Sequence, residues 1–366
     1  MTLFEYINEY GNYTFKEKEI NEIDKVIFSF LSYVNLQKAK LNKKMTISDV
    51  DKLIESKYNK QKKEIIAEKD AKKILKAISK KVRYKNCLLY NYIYESDDEY
   101  QFSAITIEYL ENNIYISFEG TDEKISSWYE DFLLSYKTAT KSHLKAIKYL
   151  KKYTFSKYKI IVGGHSKGGN IALVSSMNSN YLIKRKIKEI YSVDGPGVLP
   201  EIIESKKYKQ IENKYYHIIP ENSLIGVLLE STNNTVIKSN ISGILAHDII
   251  YWDIKETTFT RSRMTYYTKT LKYDLNKYIY SLTKEELELV MRDLRKVCKN
   301  SGMKSIVEIA ENNNNLITLL KEIAKTNDKS KKLLLKLLEI FIKSLNKSIT
   351  LKLSEKINKL KEKMLG

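Results

Sequence analysis

The chain has 366 residues, 43% of them hydrophobic and 30% charged, which is enough apolar material for a large core or for two domains. Lys and Arg outnumber Asp and Glu by 64 to 45, and the net charge of +19 brings nucleic acid or an anionic membrane surface into consideration as partners. No run of about 18 apolar residues exists to span a bilayer, and the first residues lack the basic-then-apolar pattern of a secretory signal.

The two cysteines, Cys87 and Cys298, lie far apart, so neither a disulfide framework nor a zinc site is expected, and the usage suits a reducing cytoplasm. Lysine greatly outnumbers arginine, whereas phosphate and base recognition favour the arginine fork. With abundant Asn, Ile and Tyr and three prolines, the charge also fits AT-rich coding, and nucleic acid is disfavoured as a partner. The expected location is cytoplasmic, with peripheral membrane contact left open.

Residues 1–81 read as a helical segment packed on the core. Thr14 to Glu17 has the form of a capping box, and Ile20, Ile23, Ile27, Leu31 and Val34 recur at helical spacing. Ile65, Ile66, Ile74, Leu75 and Ile78 mark a second, lysine-rich helical stretch. From about residue 86 the pattern changes. Segments 88–94, 102–109 and 113–118 are β-branched and aromatic, separated by acidic or Asn-containing turns, as in consecutive strands. Strands at 158–163, 187–192, 214–219 and 235–239 then alternate with helices at 141–152 and 168–179, which predicts an α/β core over 82–280 with a largely parallel sheet. Residues 281–366 read as a helical extension. There Leu334, Leu338, Phe341 and Leu345, then Leu353, Ile357, Leu360 and Met364, form apolar stripes between lysines, suited to a helical cap on the core or to a membrane surface.

The chemistry centres on Gly164-His165-Ser166-Lys167-Gly168, between the apolar strand Ile160-Ile161-Val162 and a helix. This is the setting of a nucleophile elbow, where a tight strand-to-helix turn exposes the serine Oγ and a Cβ at the glycines would collide with neighbouring backbone. The helix N-terminus behind Ser166 favours an oxyanion. With 12 glycines in the chain, a chance G-x-S-x-G is expected roughly 0.03 times.

A serine nucleophile needs a base, and the chain has four histidines. His165 adjoins the nucleophile and should point away from it, His143 precedes the serine, and His217 sits inside a strand. His247, in a loop after the last strand, has the chain order expected of a Ser…Asp/Glu…His triad. Asp194 follows the strand after the elbow and faces the same rim, so it can orient the histidine; Glu221, one strand later, is the substitute. The N–H of Lys167 and Thr121, after Phe118-Glu119-Gly120, are the expected oxyanion donors. Trp128, Asp131 and Phe132 read as packing and supporting groups. No phosphate-binding, dinucleotide, zinc-protease or C-x-x-C motif occurs, so no cofactor and no metal are expected.

The segments GGHSKGGNIAL, VDGPGV, IIPENSLIGVLL and SNISGILAHDIIYW, with Tyr10-Gly11-Asn12 near the start, resemble the bacterial Mbeg-like family of lipase-related α/β-hydrolases over roughly residues 5–255. FEGT and GHSKGG are more distantly similar to fungal-type triacylglycerol lipases. Those lipases usually carry arginine where Glu119 stands, and their acid lies where this chain has Ser223. The resemblance implies ester hydrolysis, with lipids as a substrate class.

These readings converge on an α/β-hydrolase whose serine cleaves carboxylic esters, lipid acyl esters first among them, through an acyl-enzyme. A thioesterase, amidase or acyltransferase would use the same triad. A hydrolase-like module that binds a membrane or nucleic acid through its lysines is the non-enzymatic alternative.

Overall fold

The structure is a computed structural model, which describes residues 1–37, 41, 43–58, 66–97, 100–120, 139–301 and 313–343. Its centre is an eight-stranded sheet whose strands lie side by side in chain order. They are β1 (Met45–Thr46), β2 (Leu88–Ser96), β3 (Gln101–Leu110), β4 (Asn113–Phe118), β5 (Lys159–His165), β6 (Ile187–Val193), β7 (Tyr215–Pro220) and β8 (Asn234–Ile237). Strands β1 to β4 form an antiparallel meander, and β4 to β8 run parallel. With helices on both faces, this is the mostly parallel sheet of an α/β-hydrolase fold. The strand β1 is an addition to the expected pattern, and it joins residues of the first 81 to the sheet itself.

The parallel strands read as nearly continuous apolar runs because both of their faces are covered. In β5, Ile160 and Val162 enter one hydrophobic cluster and Ile161 the other; in β6, Ile190 and Tyr191 divide the same way. One face is covered by the helices α1 (Leu3–Tyr10), α2 (Glu22–Phe30), α3 (Ile47–Tyr58) and α4 (Ile66–Ile78), with α2 lying against β4, β5 and β6. The other carries α5 (Lys141–Lys151) and α6 (Lys167–Asn178), whose Ile171, Leu173 and Val174 are buried.

The N-terminal cover is pinned by a buried ion pair. Arg83 Nε donates to Asp24 Oδ1 at 2.9 Å and Nη2 to Oδ2 at 2.5 Å, while the Tyr84 hydroxyl reaches the same carboxylate at 2.6 Å. Both charged side chains are essentially inaccessible to solvent. The helix start expected at Thr14 is not found there. Thr14 and Glu17 do exchange the reciprocal bonds of a capping box, but around a turn. Helix α2 begins at Glu22, where Asn21 and Asp24 form the box that caps it. Two short-range bonds close a turn as readily as a helix, and the four residues after Thr14 lack apolar positions enough to bury a helical face.

The C-terminal helices are α7 (Tyr266–Ser281), α8 (Lys284–Asn300), α9 (Asn313–Ala324) and α10 (Asp328–Lys343). The helical region therefore opens at Tyr266, ahead of residue 281, and Thr283 with Glu286 caps its second helix. Leu271, Val290, Leu320 and Leu334 join the same cluster as the sheet face. Leu334 and Leu338 are buried, so the described part of the first apolar stripe packs on the core. Leu345 and the stripe from Leu353 to Met364 lie outside the described residues.

Candidate active site

Parallel register brings the C-terminal ends of β5, β6 and β7 to one rim: His165 pairs with Val193, and Val193 with Ile218. The residue following β5 is Ser166 and the residue following β6 is Asp194. Both sit in the left-handed region, Ser166 at φ 57° and ψ −134° and Asp194 at φ 47°. A non-glycine residue held there costs on the order of 1–3 kcal/mol and persists only where its surroundings over-determine it.

The surroundings of Ser166 do so. Its N–H donates to the Val193 carbonyl at 2.9 Å, and its carbonyl accepts from Gly169 N–H at 2.9 Å. A Cβ at Gly164 would lie 2.5 Å from the Phe118 carbonyl oxygen, and one at Gly168 would lie 2.1 Å from the same atom. Strand β4, the elbow and the start of α6 thus touch through backbone alone, which is the physical reason for glycine at both positions. Gly120 closes in from the end of β4, since a Cβ there would fall 2.8 Å from Ser166 Cβ. The serine stands at the N-terminus of α6, where free backbone N–H groups favour negative charge.

Asp194 is fully buried and its carboxylate is divided between two tasks. Oδ1 accepts from the Ser223 hydroxyl at 2.5 Å and from Gly226 N–H at 3.1 Å. Oδ2 lies 2.6 Å from His247 Nδ1. The His247 ring is 21% exposed, so one edge meets the carboxylate while the residue remains open to solvent. Glu221 occupies the equivalent place after β7 but turns away, accepting from Ser262 Oγ at 2.5 Å. The carboxylate that meets His247 is that of Asp194. Among the described residues no hydrogen bond joins Ser166 Oγ to His247, whose Nδ1 is taken up by Asp194.

The other three histidines hold backbone near this rim. His143 Nδ1 accepts from Thr140 N–H at 2.8 Å, which leaves its Nε2–H to donate to Asn170 Oδ1 at 2.8 Å. Asn170 in turn donates to the Gly197 carbonyl at 2.6 Å, steadying the turn after Asp194. His217 donates from Nε2 to the Gly195 carbonyl at 2.8 Å. Burial pushes the imidazole of His217 below its usual range, in keeping with a neutral ring. His165 donates from Nε2 to the carbonyl of His247 at 2.8 Å, and its Nδ1 accepts from the Tyr33 hydroxyl at 2.9 Å. Burial, with the His247 ring beside it, holds His165 well below the ordinary imidazole range.

Of the residues singled out from sequence, the structure gathers Ser166, Lys167, Asp194 and His247 at one rim, with Gly164, His165 and Gly168 shaping the elbow. Thr121, Trp128, Asp131 and Phe132 lie outside the described residues. The sequence reading gave Tyr33 no place at the site; it comes from the N-terminal segment, within the Leu31-Ser32-Tyr33 stretch that shares the family resemblance, and no local pattern announces its closeness to the elbow. The reading also missed Ser223 as the donor that orients Asp194. Among the described residues no group of His, Cys, Asp and Glu could hold a metal ion, and no helix is long and apolar enough to cross a membrane.

A model of the Mbeg1-like family matches residues 78–295, more than half of the chain. None of the curated proteins matches it. Among solved structures the chain is similar to M37 lipase, at 14% identity and a TM-score of 0.33, over 56% of this chain and 68% of that one. That likeness is slight, and the fold assignment stands on the strand order, the parallel rim and the elbow.

Proposed function

The chain belongs to the Mbeg1-like family, and we propose that it is a serine hydrolase that cleaves carboxylic esters through Ser166, His247 and Asp194. The observation that carries this reading is a serine held at φ 57° on a strand-to-helix elbow, on the same rim as a histidine bonded to a buried carboxylate at 2.6 Å.

In this mechanism Ser166 Oγ attacks the acyl carbonyl carbon as His247 Nε2 takes its proton. Asp194 accepts the Nδ1–H, fixing the tautomer with a bare Nε2, and stabilises the imidazolium that forms. The N–H of Lys167, in the first turn of α6, donates to the oxyanion, and Thr121 is the proposed second donor. Collapse of the tetrahedral intermediate breaks the ester C–O bond, with His247 returning the proton to the leaving alcohol. Water, activated by the same histidine, then releases the acid from the acyl-serine.

Lipid acyl esters at an anionic membrane are the substrate class we favour, on the strength of the +19 net charge. Vesicle binding through that charge should weaken as salt rises, and failure to bind anionic vesicles at low salt would remove this part of the proposal. The reaction itself is tested by fluorophosphonate labelling. Peptide mass spectrometry should place the phosphonyl group on Ser166, with no labelling of Ser166→Ala or His247→Ala. Absence of labelling in folded wild type, with and without vesicles, would refute it.

A further inference from the structure

The elbow histidine, His165, takes no part in the acyl-transfer chemistry, yet it is buried against the base that does. Its ring lies 4.2 Å from that of His247, centroid to centroid, at an interplanar angle of 40°. The Nε2–H donates to the main-chain carbonyl of His247 at 2.8 Å, and Nδ1 accepts from the Tyr33 hydroxyl at 2.9 Å. Phe30 also packs its ring against His165, 4.9 Å away and steeply inclined. Tyr33 is itself anchored close to the elbow, since a Cβ at Gly120 would fall 2.1 Å from its hydroxyl oxygen.

His247 otherwise hangs on an irregular segment, a short 3-10 turn over Gly243–His247 that comes after the last strand of the sheet. Among the described residues its side chain makes one hydrogen bond, the 2.6 Å contact with Asp194. One hydrogen bond and the contact with the His165 ring set the imidazole only as well as the backbone that carries it is held, and a displacement of about 1 Å at a catalytic group can cost about 100-fold in rate. The bond from His165 to the carbonyl of the same residue holds that backbone in place.

Resting on the hydrolase reading, we propose that His165 and Tyr33 are positioning residues for the base: Tyr33 fixes the tautomer of His165, and His165 clamps the main chain of His247 so that its Nε2 meets Ser166. The neutral state of His165 suits the task. A charged ring would stand 4.2 Å from the imidazolium that His247 becomes during turnover, and like charges that close oppose its formation. On this reading helix α2 and the turn after it serve the site, because they carry Phe30 and Tyr33.

The test uses the full chain with His165→Leu, His165→Gln and Tyr33→Phe. Gln keeps an N–H donor near the position of Nε2, and Phe removes one hydroxyl without changing the packing. On a chromogenic ester, His165→Leu should lower kcat by about 10- to 100-fold with KM little changed. His165→Gln should recover most of that loss, and Tyr33→Phe should fall between wild type and Leu. The fluorophosphonate labelling rate of Ser166 should follow kcat, and the far-downfield proton resonance of the His247–Asp194 bond should broaden or vanish in His165→Leu and persist in His165→Gln.

Folded His165→Leu and Tyr33→Phe that both label and turn over within twofold of wild type would overturn the positioning role and leave the hydrolase reading intact. An equal loss in Leu and Gln would overturn it too, because it would trace the defect to packing. Wild type that labels no probe would overturn the hydrolase reading, and the catalytic meaning of the clamp with it, whether or not the resonance depends on His165.

Discussion

Replacing Asp194 with Asn changes one oxygen for an NH2 group and little else, and the structure determines which way the amide must face. The Ser223 hydroxyl, at 2.5 Å, and Gly226 N–H, at 3.1 Å, both donate to Oδ1, so the amide oxygen of the substituted side chain stays on their side. Its NH2 then points at His247 Nδ1, which lies 2.6 Å from the other oxygen in the parent chain. Nδ1 must accept rather than donate, the ring proton moves to Nε2, and Nε2, the atom proposed to take the Ser166 proton, can no longer do so. Loss of the carboxylate also removes the charge that steadies the imidazolium. A wrong tautomer in this geometry lowers kcat by about 10,000-fold, or about 5 kcal/mol at about 1.36 kcal/mol per tenfold.

The assay is steady-state hydrolysis of a chromogenic ester beside fluorophosphonate labelling, with thermal unfolding as a control for the fold. Asp194→Asn should unfold near the parent temperature, because every hydrogen-bonding group around it keeps a partner. Glu221→Gln, whose carboxylate bonds Ser262, should leave kcat within a few-fold. An Asp194→Asn loss below tenfold, or a large loss in Glu221→Gln, would refute the assignment of the acid.

Three other outcomes are expected from the same geometry. Gly168→Ala places a Cβ 2.1 Å from the Phe118 carbonyl, a backbone atom that cannot give way alone, so it should destabilise by about 3 kcal/mol and abolish labelling; a urea melt matching wild type would contradict this. Arg83→Met leaves Asp24 charged and buried without its partner and should cost about 3–5 kcal/mol in chemical denaturation, whereas adding Asp24→Asn should restore part of that loss. Asp248, next to His247, is raised by burial and by the neighbouring Asp70 carboxyl to about 7 from 3.8. The folded state therefore binds the proton more tightly than the unfolded chain. Its contribution is fully present below about 4 and is lost as pH rises to about 7, so Asp248→Asn should flatten the fall in stability across that window; an unchanged slope in urea melts would contradict it.

Much of this molecule was legible in the residues because the signals are local. The elbow needs a buried strand, small residues at fixed offsets and a helix start, all within about fifteen residues of one another, and steric exclusion at Gly164 and Gly168 leaves few other residues that fit. Strands β2 to β7 announced themselves through β-branched and aromatic runs, within a residue or two of their ends. The strand β1 did not, since two residues, Met45 and Thr46, carry no period; the sheet edge recruits them. The turn at Thr14 shows the same limit from the other side, because a capping box describes two bonds and not the burial that makes a helix follow.

The sequence ranked Asp194 ahead of Glu221 but could not decide between them. Both carboxylates end parallel strands on one rim, and their chain neighbourhoods permit either to face His247. What separates them is side-chain direction, set by Ser223 and Gly226 on one side and Ser262 on the other. The clamp of Tyr33 on His165 is likewise tertiary, since it joins residues 132 positions apart. Short-range sterics wrote the elbow into the chain; which groups lean on it was decided only when helices and loops distant in sequence packed against the same rim.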